Sequence, residues 1–560
     1  MKEKVIKRLI VGCLLAGLFL LGSCRASTTS TVSETATPSS AVVTTSAVED
    51  AEEGAVEING DFSITTENGT VTSSGSVYTL SSAGEYTLSG SLSGGQVIVD
   101  AGEDDEVTLN LDTVSISCSF DSPIYIKTAD KVKIKALDGS YNVIEDTRPL
   151  QTNENDTTGS AAIYAECDMN LIGSGRLVVK ATYNNGIHTK DDLKIKNQVL
   201  KVTAPNNAIK GNDSLTIESG NVIAISTAGD ALKTSNSDIS SKGNQRGTIT
   251  ISGGTLELYA GCDGIDAAYD VEISGESTGI TVYTYRNSSY TSSSVSATDD
   301  STKGIKSDNE IRISGGTIVI KSYDDGIHAN NDNALENGAT PTGNITVSGG
   351  KIAVTTSDDG IHADGTLLIE DGYIEITESY EGLEGHYVNV NGGEIHIYAT
   401  DDGVNATSTS ERVSDGVITV TGGKMFVEVA GRDVDGVDSN GKYVQSGGFV
   451  VVSNPNANSM GTAAAMDTDG GVTVTGGILI ALGTVPSSGG MGGGPGGRMG
   501  MGGMSASNVP SGAVTFSSTL SAGTHTFAYG STSESFTLKN RVTAGWIWAS
   551  GITSSNYSLK

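Results

Sequence analysis

The six residues Asp358-Asp359-Gly360-Ile361-His362-Ala363 carry the pattern that decides the fold. Close copies of this pattern occupy positions 324–329, 380–385, 401–406 and 434–439. Looser copies are centred on Gly or Ala at positions 186, 208, 231, 264 and 304, and the shortest steps between neighbouring copies are 21 to 23 residues. Longer steps contain polar, turn-rich insertions. A period of this size indicates a repeat architecture in which each unit packs on the next.

Within each unit, apolar and polar residues alternate as they do in a β-strand. Ile361 and Ala363 point to one side, whereas His362 and Asp364 point to the other. A pair of glycines also recurs midway through the units, at 253–254, 315–316, 349–350, 392–393, 422–423 and 447–448. Glycine supplies the positive φ that a tight corner needs. The sequence therefore predicts an all-β parallel β-helix with one coil per unit and a core of stacked Ile, Val, Leu and Ala.

The charge balance excludes one class of partner. The 560-residue chain has 34 Lys and Arg against 66 Asp and Glu, a formal net charge of −32. A surface this acidic repels the phosphate backbone of nucleic acids and attracts cations. We therefore expect no nucleic-acid partner and a monomeric solenoid body.

The chain is predicted to divide into six parts. Basic residues, an apolar run and the ending Leu21-Gly22-Ser23-Cys24 resemble a bacterial lipoprotein signal, with Cys24 as the lipidated residue; a plain signal peptide or an uncleaved anchor is the alternative. In each case we expect the mature chain to be exported, and the lipoprotein signal predicts a membrane-anchored protein at the cell surface. The parts are a signal peptide (1–24), a Ser/Thr-rich disordered tether (25–55), capping coils (56–160), the β-helix (161–484), a flexible Gly/Met-rich insert (485–508) and a small C-terminal β segment (509–560).

The cysteines and tryptophans outside the repeat are interpreted as structural residues. Cys118, Cys167 and Cys262 lack zinc-like spacing, so we predict buried small apolar residues. Trp546 and Trp548 lie two apart on one face of a predicted strand, and we expect them to cover a core end.

Several stretches together resemble a known family. They are residues 84–90 with 96–100, residues 185–193, the repeated DDGIHA, residues 379–384 and residues 435–441. Over residues 58–482 they are similar to the bacterial cell-surface "carbohydrate-binding domain-containing" family. The resemblance implies a pectate-lyase-like right-handed parallel β-helix, calcium sites, and attachment to plant cell-wall polysaccharides that include cellulose and acidic pectin.

Stacking the repeats aligns two lines of side chains, here named the first file and the second file. The first file, one residue before each repeat centre, is Asp230, Asp263, Lys303, Asp325, Asp359, Glu381, Asp402 and Asp435; the second file, two residues after it, is Lys233, Asp266, Lys306, His328, His362, Glu384, Asn405 and Asp438. Carboxylates on rungs about 4.8 Å apart repel each other unless protons or a cation enter. Calcium takes six to eight oxygen ligands in flexible geometry. The predicted calcium ligands are Asp263, Asp266, Asp325, Asp359, Glu381, Glu384, Asp402, Asp435 and Asp438.

The acidic residues also have a structural interpretation. Asp-Asp-Gly and Glu-Gly form turns in which the carboxylate accepts hydrogen bonds from local backbone N–H groups. We assign that role to Asp324, Asp358 and Asp401, and we interpret His328 and His362 as polar surface rungs, since a two-histidine site favours a softer ion.

Lys303 and Lys306 interrupt the files where the sign of the charge changes. The simpler interpretation makes them counter-charges for Asp263, Asp266 and Asp325. The alternative makes them catalytic, because calcium beside a basic side chain is how a pectate lyase removes a proton next to a uronate carboxylate. Sugar contact is a further role for both lysines and for Tyr183, Tyr323 and Tyr380, each of which precedes a repeat centre.

Three functions remain open from the sequence. The first is calcium-dependent, non-catalytic binding of plant cell-wall polysaccharide, acidic pectin-like or cellulose, by a membrane-anchored surface lipoprotein. The second is a polysaccharide lyase that acts by β-elimination. The third is an adhesin or envelope scaffold whose ligand is another protein.

Overall fold

The computed structural model describes residues 58–153, 156–284, 301–408, 414–432, 434–458, 463–483 and 508–560. The signal peptide with Cys24, the tether and nearly all of the Gly/Met-rich insert lie outside these ranges, so those predictions are untested. Regular structure in the described ranges is entirely β-strand. None of the residues described forms a helix that is long and apolar enough to cross a membrane.

The strands, numbered in chain order, stack into three sheets that the chain visits in turn. In the first sheet they are β3 (Val77–Leu80), β5 (Gln96–Asp100), β7 (Ile124–Thr128), β10 (Ala161–Ala165), β13 (Asn185–Thr189), β16 (Ile209–Gly211), β19 (Leu232–Lys233), β22 (Ile265–Ala267), β25 (Ile305–Ser307), β27 (Ile327–Ala329), β32 (Val404–Ala406), β35 (Val437–Ser439) and β38 (Met466–Thr468). In the second sheet they are β8 (Lys131–Ala136), β11 (Asp168–Ile172), β14 (Asp192–Lys196), β17 (Ser214–Ile217), β20 (Thr248–Ile251), β23 (Asp270–Ile273), β33 (Val417–Val420), β36 (Lys442–Gln445) and β39 (Val472–Val474).

The third sheet completes each coil. Its strands are β9 (Tyr141–Asp146), β12 (Arg176–Ala181), β15 (Gln198–Ala204), β18 (Gly220–Ser226), β21 (Thr255–Tyr259), β24 (Gly279–Tyr283), β31 (Glu394–Ala399), β34 (Lys424–Val429), β37 (Phe449–Ser453) and β40 (Ile478–Leu482). Six longer strands run around a corner and contribute to more than one sheet: β4 (Gly84–Ser93), β6 (Glu106–Cys118), β26 (Glu310–Lys321), β28 (Asn344–Thr355), β29 (Ile361–Glu378) and β30 (Leu383–Val390).

Parallel pairing between equivalent strands of successive coils defines the architecture. Strand β13 pairs with β16 and β16 with β19, so each strand bonds to its counterpart three strands later. The same step links β14 to β17 and β15 to β18. This is the hydrogen-bond pattern of a parallel β-solenoid, and the predicted all-β solenoid is confirmed at this level.

The core and the corners follow from the sequence pattern. Ile361, Leu383 and Val404 stack at the start of three successive coils, and all are fully buried. At the corners, the second glycine of each pair has positive φ, as at Gly393 (76°) and Gly423 (73°). The first glycine is needed for close approach, because a Cβ on Gly392 would lie 2.0 Å from the carbonyl oxygen of Glu370 in the preceding coil.

Antiparallel strands close both ends of the described body. At its start, β1 (Ser63–Thr66) pairs with β4, and β2 (Val71–Ser74) pairs with β3. At the far end are β41 (Val514–Leu520), β42 (Gly523–Tyr529), β43 (Thr532–Leu538), β44 (Val542–Ala549) and β45 (Tyr557–Leu559). Strand β44 runs antiparallel along β40, the last coil strand.

The residues outside the repeat mostly lie where the sequence predicts. Trp546 is buried in the main core and Trp548 packs against it, so both cover the core end. Cys118 and Cys167 are buried free cysteines, whereas Cys262 is only partly buried.

Candidate functional site

Both files exist as lines of stacked side chains along the first sheet. In the second file, Lys306 pairs in register with His328, His328 with His362, and His362 with Glu384. The line continues through Asn405 and Asp438 to Asp467. The parallel register thus brings together residues that lie some twenty to forty positions apart in the chain.

The first file is held in place by the backbone of the following coil. An oxygen of Asp325 accepts a hydrogen bond from the N–H of Asp359 (3.2 Å), and Asp359 does the same for Glu381 (3.2 Å). Asp402 accepts from the N–H of Asp435 at 2.7 Å. The backbone role predicted for Asp324 also occurs in the first file itself, while the second oxygen of each carboxylate is available for other contacts.

Lysines neutralise the early part of the files, which we name the lysine segment (Asp230, Lys233, Asp263, Asp266, Lys303, Lys306 and Asp325). Lys303 lies 2.9 Å from Asp324 and 2.8 Å from Asp325. Lys306 lies 3.5 Å from Asp266 and 3.9 Å from Asp263, and Lys233 bridges Asp230 and Asp266. Ammonium groups therefore lie beside the predicted calcium ligands Asp266 and Asp325, and more distantly beside Asp263, whose pKa burial still raises to about 7. Their assignment as calcium ligands stays a prediction.

The same contacts bear on the catalytic alternative. Burial by itself lowers the pKa of Lys303, but the charge of Asp325 and its hydrogen bond outweigh burial, so the pKa is raised. For Lys306, burial is likewise outweighed by Asp266 and Asp263, and the pKa is raised. A lysine acts as a base only when neutral. The geometry therefore favours counter-charges over proton acceptors.

Two histidines form the next part, which we name the histidine step (His328, His362, Asp359 and Asp364). Their rings stack with centroids 4.3 Å apart and planes 15° apart. His328 Nδ1 lies 2.7 Å from Asp325, and its Nε2 lies 3.1 Å from Asp364. Burial lowers the pKa of His328, yet these two hydrogen bonds outweigh burial and raise it to about 9. Hydrogen bonding to Asp359 likewise outweighs burial and raises the pKa of His362, which favours the charged form of both rings, although Asp325, His328 and His362 also offer ligand atoms within 4.8 Å of one another.

Beyond the histidines the files consist of carboxylates, in what we name the carboxylate segment (Glu381, Glu384, Asp402, Asn405, Asp435 and Asp438). Among the described residues, no Lys or Arg forms an ion pair with any of its acids, and the one histidine contact is His362 Nδ1 at 3.3 Å from Glu384. Burial is the main reason that their pKa values are raised, to about 8 for Glu381, Glu384 and Asp435, about 7 for Asp438 and about 6 for Asp402. Neighbouring carboxylates add to the effect, as Asp359 does for Glu381.

Asn405 carries the clearest sign that an ion belongs in this segment. Its side-chain N–H₂ donates to both oxygens of Glu381, at 3.1 and 2.9 Å. Its amide oxygen is therefore turned away from Glu381 and has no hydrogen-bond partner, although the residue is only 8% exposed. An unpartnered buried acceptor is costly, and amide and carboxylate oxygens are the ligands that calcium prefers.

The spacing of possible ligand atoms varies along the files. Asp359, His362 and Glu384 offer atoms within 4.8 Å of one another, as do Asp230, Asp263 and Asp266. Within the ranges that the structure describes, no such triple of acids forms among Asp402, Asp435 and Asp438. An ion bound in the carboxylate segment would therefore lie closest to ready ligands near Glu384, with Asn405 on the next rung.

The predicted sugar-contacting tyrosines differ in accessibility. Tyr323 and Tyr380 are 57% and 48% exposed beside the files. Tyr183 is buried, and the Arg148 guanidinium covers its ring at 3.7 Å from the centroid. The prediction that Tyr183 contacts sugar is therefore wrong, because its ring has no free face.

Two participating acids were missed from the sequence. Asp364, four residues after its repeat centre, lies within 3.4 Å of His362 as well as beside His328. Asp467 extends the second file beyond Asp438. The signal for Asp467 was Ala465-Met466-Asp467, which repeats Gly436-Val437-Asp438 with alanine in the glycine position.

Comparison with known proteins shows a family similarity for part of the solenoid. Residues 74–343 match the carbohydrate-binding domain-containing protein family, so the predicted resemblance is confirmed over that stretch, which is shorter than the predicted 58–482. The match includes the lysine segment and ends before the carboxylate segment.

Two individual proteins are similar to this chain. A carbohydrate-binding domain-containing protein of Acetivibrio thermocellus is 43% identical over 122 residues, which are 22% of this chain and 43% of that protein. The chain thus aligns with less than half of the length of that relative. A solved structure of a polysaccharide lyase-like protein from C. thermocellum, a gadolinium derivative, is 27% identical, with a TM-score of 0.36 over 55% of this chain and 92% of that one.

Proposed function

We propose that this protein binds plant cell-wall polysaccharide without catalysing its cleavage, and that calcium in the carboxylate segment is required for binding. The family match and the Acetivibrio relative support a carbohydrate ligand. One observation carries the calcium proposal: the files change from lysine-paired acids to buried acids that have no Lys or Arg partner in the described ranges, next to the unpartnered amide oxygen of Asn405.

Calcium would have two roles in this proposal. Glu381, Glu384, Asp402 and the Asn405 amide oxygen, with Asp435 and Asp438 above them, supply hard oxygen ligands from adjacent coils. An ion held by such a set brings charges together that otherwise repel. It also leaves positions for carboxylates of an acidic, pectin-like chain, whereas cellulose would contact the exposed Tyr380 ring instead.

The proposal includes handedness and location. A right-handed coil is expected from the family resemblance. A lipid on Cys24 would anchor the protein to the membrane, with the Ser/Thr-rich tether (25–55) holding the solenoid away from it at the cell surface.

The decisive test is a retention assay on polygalacturonate and on cellulose, with calcium or with EDTA. We expect calcium-dependent retention by the native protein and its loss in the triple variant Glu381→Gln, Asp402→Asn, Asp435→Asn. The matched control is Glu67→Gln, Glu103→Gln, Asp104→Asn, which removes the same charge from exposed positions. Retention that is equal with EDTA, or that survives in the first variant, would contradict the calcium proposal.

The lyase alternative is tested in the same samples. If unsaturated uronate product forms, and if it is lost when Lys303 or Lys306 is replaced, the protein is a lyase and the non-catalytic proposal is wrong. If neither polysaccharide nor a wider glycan array retains the protein, the adhesin or scaffold interpretation takes its place.

A further inference from the structure

The files continue toward the start of the chain, beyond the lysine segment, and there the first file loses its charge. Its residues one position before the repeat centre are Asn207 and Asn185. Asn207 Oδ1 accepts a hydrogen bond from the N–H of Asp230 at 3.1 Å, and Asn185 Oδ1 accepts from the N–H of Asn207 at 3.1 Å. Asparagine therefore takes the backbone role that Asp325 and Asp359 have further along, without a negative charge.

The second file has a lysine beside these asparagines. Lys210 lies in register between His188 and Lys233 on successive strands of the first sheet, and its side chain is partly buried. Within the ranges that the structure describes, Lys210 forms no hydrogen bond and no ion pair. Lys233, Lys303 and Lys306, in contrast, each lie within 3.9 Å of at least one carboxylate. Lys210 therefore differs from these three in lacking a counter-charge.

The neighbouring histidine supplies no charge either. His188 Nδ1 lies 2.6 Å from Ser160 Oγ, and Nε2 lies 3.0 Å from Asn212 Oδ1, so both ring nitrogens are engaged. Burial, and then the charges of Lys210 and Lys190, lower the pKa of His188 to about 4. The ring is therefore neutral at pH 7, and the coil before Lys210 presents neutral groups to its ammonium.

The surroundings of Lys210 disfavour its charged form. Burial is the main cause of its lowered pKa, and the charge of Lys233 adds to the effect. Asp230 and Asp266 act in the opposite direction, but Lys233 already bridges these two acids. A partly buried ammonium group without a counter-charge is costly. An anion beside Nζ would supply what the asparagines of the first file do not.

A carboxylate suits this position. Ammonium groups form charge-assisted hydrogen bonds to carboxylates, and acidic cell-wall polysaccharides carry carboxylates along the chain. Lys210 also lies on the same file as the carboxylate segment. Six register steps lead from position 210 through 233, 266, 306, 328 and 362 to 384. At about 4.8 Å for each step, Lys210 and Glu384 are about 29 Å apart.

We propose that Lys210 binds the carboxylate of an acidic sugar directly, without calcium. The inference rests on the proposed function for the class of ligand and narrows that class to acidic polysaccharides. A long acidic chain lying along the first sheet would contact Lys210 at one end and the carboxylate segment with its calcium at the other. A short acidic oligosaccharide in EDTA would reach Lys210 alone.

The test is calorimetric titration of the full chain with trigalacturonate in EDTA. We expect binding by the native protein that weakens about tenfold or more in Lys210→Met, as loss of a hydrogen bond to a charged group would give. Lys210→Arg keeps the charge and should retain most of the affinity. The matched control Lys135→Met removes an exposed lysine from the second sheet and should bind as the native protein does.

Thermal melting separates a binding role from a structural one. Because no described residue pairs with Lys210, the variant Lys210→Met should melt no lower than the native protein. Trigalacturonate should raise the melting temperature of the native protein and leave that of Lys210→Met unchanged. If Lys210→Met melted at a clearly lower temperature without ligand, the ammonium would support the fold and the inference would be wrong.

The remaining outcomes separate this inference from the calcium proposal. No binding of trigalacturonate in EDTA, equal binding by Lys210→Met and Lys135→Met, or equally tight binding of neutral cellotriose would overturn the inference. Unsaturated product that requires Lys210 would also overturn it, since the lysine would then act as a base. Trigalacturonate binding that persists in EDTA, in a protein whose retention on polysaccharide does not depend on calcium, would support Lys210 and contradict the calcium proposal alone.

Discussion

The lysine segment and the carboxylate segment are two parts of one ladder with opposite means of neutralising charge. Both have the same backbone register, and an acid precedes the repeat centre in every copy of the two segments except at Lys303. In the first, Lys303 lies 2.8 Å from Asp325; in the second, Glu381 has Asn405 as its hydrogen-bond donor and no lysine beside it in the described ranges. The comparison teaches that the repeat fixes where these side chains lie, whereas substitutions in both files decide whether a lysine stands beside the acids.

This difference has a functional meaning. A lysine ammonium is part of the chain and remains at any calcium concentration. A carboxylate set that lacks such a partner must bind protons or a free cation. The lysine segment is therefore expected to be constitutive and the carboxylate segment to respond to its surroundings.

Removing a lysine should have the largest effect. Lys303→Met leaves Asp324 and Asp325 without their ammonium partner, and the Asp325 side chain is only 4% exposed. Loss of one member of a buried ion pair costs about 3–5 kcal/mol. We expect a clear fall in the melting temperature by circular dichroism, of equal size with calcium and with EDTA.

The control for this change is Lys351→Met, which removes an exposed lysine and should leave melting unchanged. If calcium abolished the difference in melting temperature between Lys303→Met and the native protein, both measured in calcium, calcium could replace the lysine and the contrast between the two segments would be wrong.

Calcium should have the next largest effect, confined to the other segment. Saturating calcium at about 100 times its Kd stabilises a folded protein by about 2.7 kcal/mol. We expect calcium to raise the melting temperature of the native protein and of Lys303→Met alike. The triple variant Glu381→Gln, Asp402→Asn, Asp435→Asn should melt at the same temperature with and without calcium, and a persistent shift would place the ion elsewhere.

The pH dependence should separate the segments further. Burial raises the pKa of Glu381 and of Asp435 to about 8, from ordinary values of 4.5 and 3.8. The unfolded chain therefore loses these protons at lower pH than the folded one does. Their contribution to stability is complete below about pH 4 and is lost as the pH rises through about 8, at up to 1.4 kcal/mol per unit of pKa shift.

The pH dependence of stability is measured by thermal melting of the protein in EDTA between pH 5 and pH 9. Stability should fall with rising pH, and calcium should remove most of the decline because it replaces the lost protons. In the double variant Glu381→Gln, Asp435→Asn the decline should be shallower. A native profile in EDTA that rises over this range would contradict the pKa directions.

The exposed tyrosines give the smallest predicted effect. Tyr380 lies at the carboxylate segment and Tyr323 at the lysine segment, and they are 48% and 57% exposed. If polysaccharide docks beside bound calcium, Tyr380→Ala should weaken retention about threefold, or about 0.6 kcal/mol, in line with one aromatic contact. Tyr323→Ala should weaken it less, and the reverse order would move the ligand to the lysine segment.

The period of the sequence was sufficient to predict the files. Because side chains alternate and coils stack in register, spacing alone aligns His328, His362 and Glu384. Spacing also explains why Lys303 and Lys306 meet the acids of neighbouring coils.

What spacing could not provide was the contact made by residues off the repeat. The Tyr183 ring is covered by Arg148 from outside its own coil. The contact of Glu428 with the backbone N–H of Lys539 depends on a segment that returns more than a hundred residues later in the chain. Such long-range placements have no periodic signal.

The antiparallel closure by β44 has a consequence for how copies of the protein coexist. A solenoid ending in a bare parallel strand would offer free N–H and C=O groups to the next molecule, and stacking could continue into a fibre. Strand β44 occupies those groups on β40, and Trp546 seals the apolar column beneath. The third sheet of one copy therefore cannot be extended from β40 by a strand of another copy.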